Sequence, residues 1–317
     1  MSADIDVTVS AIRAVARDVL AIELRHKSGQ ALPGAAPGAH IEFALPNGLV
    51  RQYSLTDAQG KAHQDCYTIA VGWDANSRGG SHWIHERLRV GQALRVSAPR
   101  NLFAMDPAHR RVLLLAGGIG ITPIVAMARH CAAAGLDWSL VACARSASRL
   151  AYLEELEALA GNRLRTHFDD EHGGPIDLST LLAPRQWDAV YACGPAPMLD
   201  ALTAMTSDWS TGSVRMERFK GAEVPAGERR VFELVLQRSG LETEVGTHES
   251  VLDAIERLGV SYPFSCREGI CGTCEAPMLE GEAEHMDFVL DPAEKANHQR
   301  MMVCVSRCAS SRLVLDI

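Results

Sequence analysis

Much that a chain of 317 residues can carry is absent from this one. There is no surplus of positive charge. Lys and Arg number 31 against 39 Asp and Glu, a net charge of −8 at pH 7, which removes the electrostatic case for nucleic acid. No apolar run is long enough to span a bilayer, because residues 112–128 are interrupted by glycines and Pro123. The opening Met1-Ser2-Ala3-Asp4-Ile5-Asp6 has neither the basic start nor the apolar run of an export signal. A cytoplasmic protein is therefore expected. Internal repeats and low-complexity tracts are also missing. The nine cysteines are an odd number, which argues against a disulfide framework in a chain of this size. The length itself suggests two or three domains, each with a core of its own.

What is present is concentrated near the end. Ser265-Cys266-Arg267-Glu268-Gly269-Ile270-Cys271-Gly272-Thr273-Cys274 has the spacing C-x4-C-x2-C, and a fourth cysteine follows at Cys304. This is the plant-type arrangement for a [2Fe–2S] cluster. Each iron needs two thiolates, and a tight loop supplies three of the four. Gly269 and Gly272 let its backbone fold close to the inorganic core, and Arg267 places positive charge beside an anionic group. A structural zinc site pairs two CxxC-like knuckles. Here only Cys271 and Cys274 have that spacing, and Cys308 follows Cys304 four residues later. The remaining cysteines, Cys66, Cys131, Cys143, Cys193 and Cys308, read as reduced thiols.

Residues 1–106 read as many short strands between turn signals such as Pro37-Gly38 and Pro46-Asn47-Gly48, the pattern of a small antiparallel barrel. In Arg51-Gln52-Tyr53-Ser54-Leu55, alternation puts Arg51 and Tyr53 on one face and Ser54 on the other. That pair suits a phosphate and a flat ring, or simply a surface strand. Ser77-Arg78-Gly79-Gly80-Ser81 leads into a helical pattern, whose first amides suit a phosphate; a plain glycine turn fits equally. Pro99-Arg100-Asn101-Leu102-Phe103 closes the barrel.

Residues 107–221 alternate strands with helices, which implies a parallel doubly wound α/β sheet with ligands at the C-terminal strand ends. Arg111 to Ala116 is a continuous apolar strand. The loop Gly117-Gly118-Ile119-Gly120-Ile121-Thr122-Pro123 follows, then a helix from about residue 124, with Thr122 as N-cap. The match to the dinucleotide fingerprint is partial, since Pro123 holds the third glycine position. Asp169-Asp170 and Cys193-Gly194-Pro195 fall at other strand ends. Residues 222–229 form a polar linker. Residues 230–317 begin with a hairpin and a helix over 249–258 before the cysteine loop, the order of a β-grasp ferredoxin domain.

Taken together, these motifs resemble the reductases of Rieske oxygenase systems, of the phthalate dioxygenase reductase and vanillate O-demethylase reductase type. The resemblance spans nearly the whole chain and includes the domain order. It implies that Arg51 and the loop Arg78, Gly79, Gly80, Ser81 hold an FMN phosphate. Tyr53 would pack on the flavin and Ser54 bond near its N5. Gly118, Gly120 and Thr122 would face the pyrophosphate of NADH, and Cys193, Gly194 and Pro195 would meet the nicotinamide. Phe219 would cover the flavin face. Cys266, Cys271, Cys274 and Cys304 would ligate the cluster. Asp169 favours NADH, because a carboxylate bonds ribose hydroxyls and repels a 2′-phosphate; Arg145 and Arg149 pull towards NADPH. The chain shows no Rieske Cys/His pairs and no 2-His-1-carboxylate motif, so oxygen activation is expected in a separate terminal oxygenase. Rieske potentials lie above those of plant-type clusters, roughly −150 to +300 mV against about −400 mV, so the flow is downhill. A P450 or a diiron hydroxylase is the alternative acceptor. The resemblance also implies a monomer that meets its acceptor transiently.

Overall fold

The computed structural model describes residues 4–183, 185–221 and 229–317; most of the expected linker, 222–228, lies outside them. The described residues divide into two compact units, one ending at Glu217 and the other beginning at Arg218.

The first unit opens with six antiparallel strands: β1 (Ile5–Ala16), β2 (Val19–His26), β3 (His40–Ala44), β4 (Val50–Ser54), β5 (Tyr67–Gly72) and β6 (Ala93–Val96). Their order is β4-β3-β6-β1-β2-β5. A bridge from Leu55 to Ile69 joins the two edges, so the sheet closes as the expected barrel and hides its free edges. Alternation decides the filling. Val7, Val9, Ile41, Phe43, Tyr67, Ile69 and Val71 point inward and are buried. Helix α1 (Gly80–Arg87) plugs one end with Ile84. The segment 99–103 adds one bridge, His40 to Arg100, while Phe103 packs into the neighbouring α/β core.

That α/β layer holds five parallel strands, β7 (Arg111–Gly117), β8 (Asp137–Ala144), β9 (Leu164–Phe168), β10 (Ala189–Cys193) and β11 (Val214–Glu217). They run in the order β9-β8-β7-β10-β11. Strand β7 is apolar from Val112 onward because both its faces are covered. Val112, Leu114 and Ala116 join one core cluster, and Leu113 and Leu115 the other. Helices α2 (Ile121–Ala133), α3 (Leu153–Ala160) and α5 (Ala196–Met205) cover the sheet, and a single turn, α4 (Asp169–His172), follows β9. Sequence order reverses between β7 and β10, which makes their C-terminal ends the switch point where ligands bind in open α/β sheets. Helix α2 starts three residues before the sequence-based expectation. Gly120 stands at its N-cap position with no side-chain bond, and the Thr122 hydroxyl donates back to Ile119 O at 3.0 Å.

The second unit is a mixed sheet of β12 (Phe232–Leu236), β13 (Leu241–Val245), β14 (Glu275–Glu280), β15 (Arg300–Met302) and β16 (Arg312–Leu315), in the order β13-β12-β16-β14-β15. Only β12 and β16 pair in parallel. Helix α6 (Val251–Arg257) buries Val251, Leu252 and Ile255 against it. A reciprocal capping box between Ser250 and Asp253 starts this helix. A shorter helix, α7 (Pro292–Ala296), precedes β15.

Candidate functional site

The phosphate cradle forms where β4 meets the start of α1. Gly79, at φ +87°, turns the chain into the helix. A Cβ on Gly80 would stand 2.9 Å from Arg51 Cγ, so a side chain there would have to displace the Arg51 side chain that crosses the helix start. Arg51 Nη2 donates to Arg78 O at 2.9 Å. Beside them, Ser81 Oγ is buried without a hydrogen-bond partner. An orphaned buried hydroxyl is costly, and a phosphate oxygen at this helix start would satisfy it. Arg51, Arg78, Gly79, Gly80 and Ser81, which the family resemblance groups at one phosphate, thus lie together, and the residues fit a flavin phosphate. Tyr53 packs edge-on to Phe43, and burial pushes its hydroxyl pKa up.

Glycine also sets the geometry of the switch point. A Cβ on Gly120 would lie 2.2 Å from Cys193 O, and one on Gly117 would lie 2.6 Å from Pro195 Cδ. The β7 loop therefore lies flush on Cys193-Gly194-Pro195. Gly118 has φ +54° and open space where a side chain would be, which suits a close-lying pyrophosphate. Thr122 is buried and its hydroxyl is engaged with Ile119 O. Asp169, at the end of β9, is partly exposed and sits 3.8 Å from His167 Nε2.

One residue at this place was not singled out in the sequence. Ser54 Oγ donates to Glu217 Oε2 at 3.3 Å, and Glu217 lies directly across from Cys193 in the β10–β11 register. This carboxylate brings Ser54 of the barrel and Cys193 of the sheet to one place. Glu217 retains some solvent exposure as a residue, yet its carboxyl group is closely surrounded. Desolvation pushes its pKa up to about 8, against the lowering effect of the Ser54 hydrogen bond. Burial, with Glu217 beside it, likewise raises the Cys193 thiol well above its ordinary value. At neutral pH both groups are protonated, and the site presents a neutral acid, a hydroxyl and a thiol. The available signal was position, since Glu217 ends a parallel strand at the ligand edge. Phe219 falls just past the boundary of the first unit and is partly exposed.

In the second unit, Cys266 lies within hydrogen-bonding reach of Cys271 and of Cys304, and Cys274 of Cys304. Among the described residues no three His, Cys, Asp or Glu side chains close on a single ion. The thiols form two neighbouring pairs, Cys266 with Cys271 and Cys274 with Cys304, which is the donor set of a two-iron cluster. Glu268 N donates to Cys266 Sγ at 3.3 Å. Gly269 and Gly272 take φ of +69° and +70°, as their role in the loop requires. Arg267 departs from its expected part. Its guanidinium pairs with Asp253 at 2.7 Å and Glu256 at 2.5 Å and lies over the Phe264 ring, so its charge is spent on α6.

Comparison with known proteins agrees with this geometry. The oxidoreductase NAD-binding domain family matches residues 114–204, and the 2Fe-2S iron-sulfur cluster binding domain family matches residues 234–309. The toluene-4-sulfonate monooxygenase system reductase subunit TsaB1 of Comamonas testosteroni is 71% identical over 317 residues, all of both chains. Among solved structures, phthalate dioxygenase reductase is 36% identical with a TM-score of 0.71, covering 99% of this chain and 98% of that one. An intact type IV self-sufficient cytochrome P450 monooxygenase is 38% identical with a TM-score of 0.88; the match covers 99% of this chain and 41% of the larger one. The chain belongs to the phthalate dioxygenase reductase family, the iron–sulfur flavoprotein oxidoreductases that serve as reductase components of oxygenase systems.

Proposed function

We propose that the chain carries electrons from NADH through FMN to its [2Fe–2S] cluster, and from there to a separate Rieske-type oxygenase acting on an aromatic sulfonate or a related acid. The observation that carries this reading is the meeting of Ser54, Cys193 and Glu217 at the switch point, in the same chain as four paired thiols. A bound flavin supplies the conversion of one two-electron delivery into single-electron steps. The chain's residues do the positioning. The glycine loop and Cys193 loop form a flush floor for the nucleotide, and Ser54 offers a hydroxyl where the barrel faces it. Glu217, neutral at pH 7, holds that hydroxyl without placing a charge beside the transfer path. Phe219, two residues past Glu217, is assigned the cover of the flavin face. Asp169 selects NADH, since a 2′-phosphate beside its carboxylate would be repelled. FMN is preferred to FAD because the family lacks an adenine-binding extension. The substrate class follows from the relative's name. The protein is expected to act as a monomer in the cytoplasm.

The test is an anaerobic titration of the purified protein with NADH and with NADPH, followed visibly. NADH bleaching both flavin and cluster bands, with FMN in the acid extract, supports the reading. A flavin that bleaches while the cluster stays oxidised refutes the electron chain, and FAD in the extract refutes the flavin assignment. Product formation with a purified Rieske oxygenase, set against a P450, decides the acceptor. The P450 reading is kept because a chain containing such an oxygenase matches this one over 99% of its length.

A further inference from the structure

Behind the cluster loop lies a group of side chains that the electron path just described does not use. Asp287 is fully buried, and its Oδ2 accepts from Val289 N at 3.1 Å and Leu290 N at 2.8 Å. Its Oδ1 faces Ser306 Oγ at 3.5 Å and His285 Nδ1 at 3.4 Å. The His285 side chain is 6% exposed. Neither of its ring nitrogens has a hydrogen-bond partner. Such a ring is unusual, because buried polar atoms are nearly always satisfied.

The group is wired to both segments that supply thiols. Phe288 N donates to Gly269 O at 2.9 Å, inside the loop between Cys266 and Cys271. A Cβ on Gly269 would lie 3.1 Å from Asp287 Cα and 2.6 Å from Val305 Cγ2, so the loop rests against the Asp287 backbone. Ser306, two residues after Cys304, accepts from Met286 N at 3.2 Å.

The surrounding groups leave one imidazole unengaged. Lys295 Nζ stands 3.8 Å from Asp287 Oδ2 and donates to Asp287 O at 2.5 Å, which offsets the buried carboxylate. Glu284, the residue before His285, is opposite Arg307. His298 stacks on His285 with centroids 5.9 Å apart, and its Nδ1 accepts from Ala283 N at 3.1 Å. That bond leaves the His298 ring already engaged. Of the groups facing this pocket, His285 alone is an imidazole poised against a carboxylate with nitrogens to spare.

We propose that His285, held against Asp287, gains a proton as the [2Fe–2S] cluster gains an electron, which ties the cluster's potential to pH. The inference rests on the cluster assignment and deepens it. The exchange balances. One electron enters the cluster from the reduced flavin, and one proton from solvent forms an N–H bond on His285. When the electron leaves for the acceptor, the proton returns to water. The driving force is charge, because an added electron in a poorly solvated region favours a cation nearby, and net charge is one of the terms that set such potentials.

The test is dye-mediated potentiometry on the full-length holoprotein, with the reduced cluster followed by electron paramagnetic resonance. The range is that in which imidazoles titrate, roughly pH 5 to 8. The wild-type potential is expected to fall as pH rises, approaching about 59 mV per tenfold change in proton concentration. His285→Gln should flatten the profile, and His298→Gln should leave it sloping. Asp287→Asn, lacking the carboxylate, should move the sloping region to lower pH. A flat wild-type profile overturns the proposal whatever the variants do, and so does a slope retained in His285→Gln. If His285→Gln loads no cluster, Asp287→Asn decides, and a sloping region at unchanged pH overturns it. Absence of any plant-type signal on reduction would instead overturn the cluster assignment.

Discussion

Ser54 and Glu217 are 163 positions apart and share one hydrogen bond, and each constrains what the other does. Ser54→Ala removes the hydroxyl from the transfer site and strands the carboxyl. A hydrogen bond to a developing charge is worth about 1.5–3 kcal/mol, so flavin reduction by NADH in stopped flow should slow by about 10- to 100-fold, with the flavin still bound. Glu217 has a pH signature of its own. Its folded pKa of about 8 lies above the ordinary 4.5, so the folded state holds a proton that the unfolded state has released. Stability is then lost progressively as pH rises from about 4.5 to about 8. Glu217→Gln cannot ionise and escapes this loss. Its melting temperature should gain on the wild type between pH 6 and pH 9, and a constant difference would refute the buried acid. The four cysteines that the structure brings together stood out in the sequence because their spacing is a local property. Glu217 was not, since its partners Ser54 and Cys193 come from other elements. His285 and Asp287 were equally silent, because nothing in the segment 283–290 announces its packing against Gly269.

At the level of elements, the glycines of the loop after β7 behave differently from one another. Gly120 has an ordinary helical φ of −61°, so alanine there strains no backbone, yet its Cβ would enter the space of Cys193 O. Gly120→Ala should part the two loops, at a cost of about 1–3 kcal/mol for overpacking, and raise KM for NADH. Gly118→Ala meets no neighbour and bears only the penalty of φ +54°, about 1 kcal/mol. It should fold almost as well as the wild type while crowding the pyrophosphate. Thermal melts and KM values for the two variants separate these effects. Alternation and apolar runs made the barrel strands, β7 and the C-terminal hairpin readable, since a period of 2 or a fully buried strand leaves a direct trace. The start of α2 was less readable. Thr122 and Pro123 form an attractive start signal, but the turn Gly118–Gly120 runs straight into the helix, and Thr122 bonds backwards instead.

For the whole molecule, the division after Glu217 puts the barrel and the parallel sheet in one unit and the four gathered cysteines in the other, with Phe219 just inside the second, and each unit has its own hydrophobic clusters. A chain ending at Gly221, which keeps Glu217 and Phe219, should still oxidise NADH with ferricyanide, within about twofold of the full-length rate. It should reduce the one-electron acceptor cytochrome c far more slowly, and equal cytochrome c rates would mean that the cluster is bypassed. The three-part organisation was legible because each part carries its own motif, and no periodicity could reveal that barrel and parallel sheet share one unit through residues such as Val19, Ala70 and Phe103. The unit boundary has a further consequence. Glu217, whose carboxyl group meets Ser54, is the last residue before the chain departs for the cluster unit, whose first strand opens at Phe232. Arg218, the next residue, already lies over the Phe288 ring, and a Cβ on Gly221 would stand 2.3 Å from Glu268 O, so the chain packs on the cysteine loop within a few positions of Glu217. On the electron path proposed above, donor and acceptor are then parts of one covalent chain. Delivery within it is first order and indifferent to dilution, and only the hand-over to a separate oxygenase depends on how much of each protein is present.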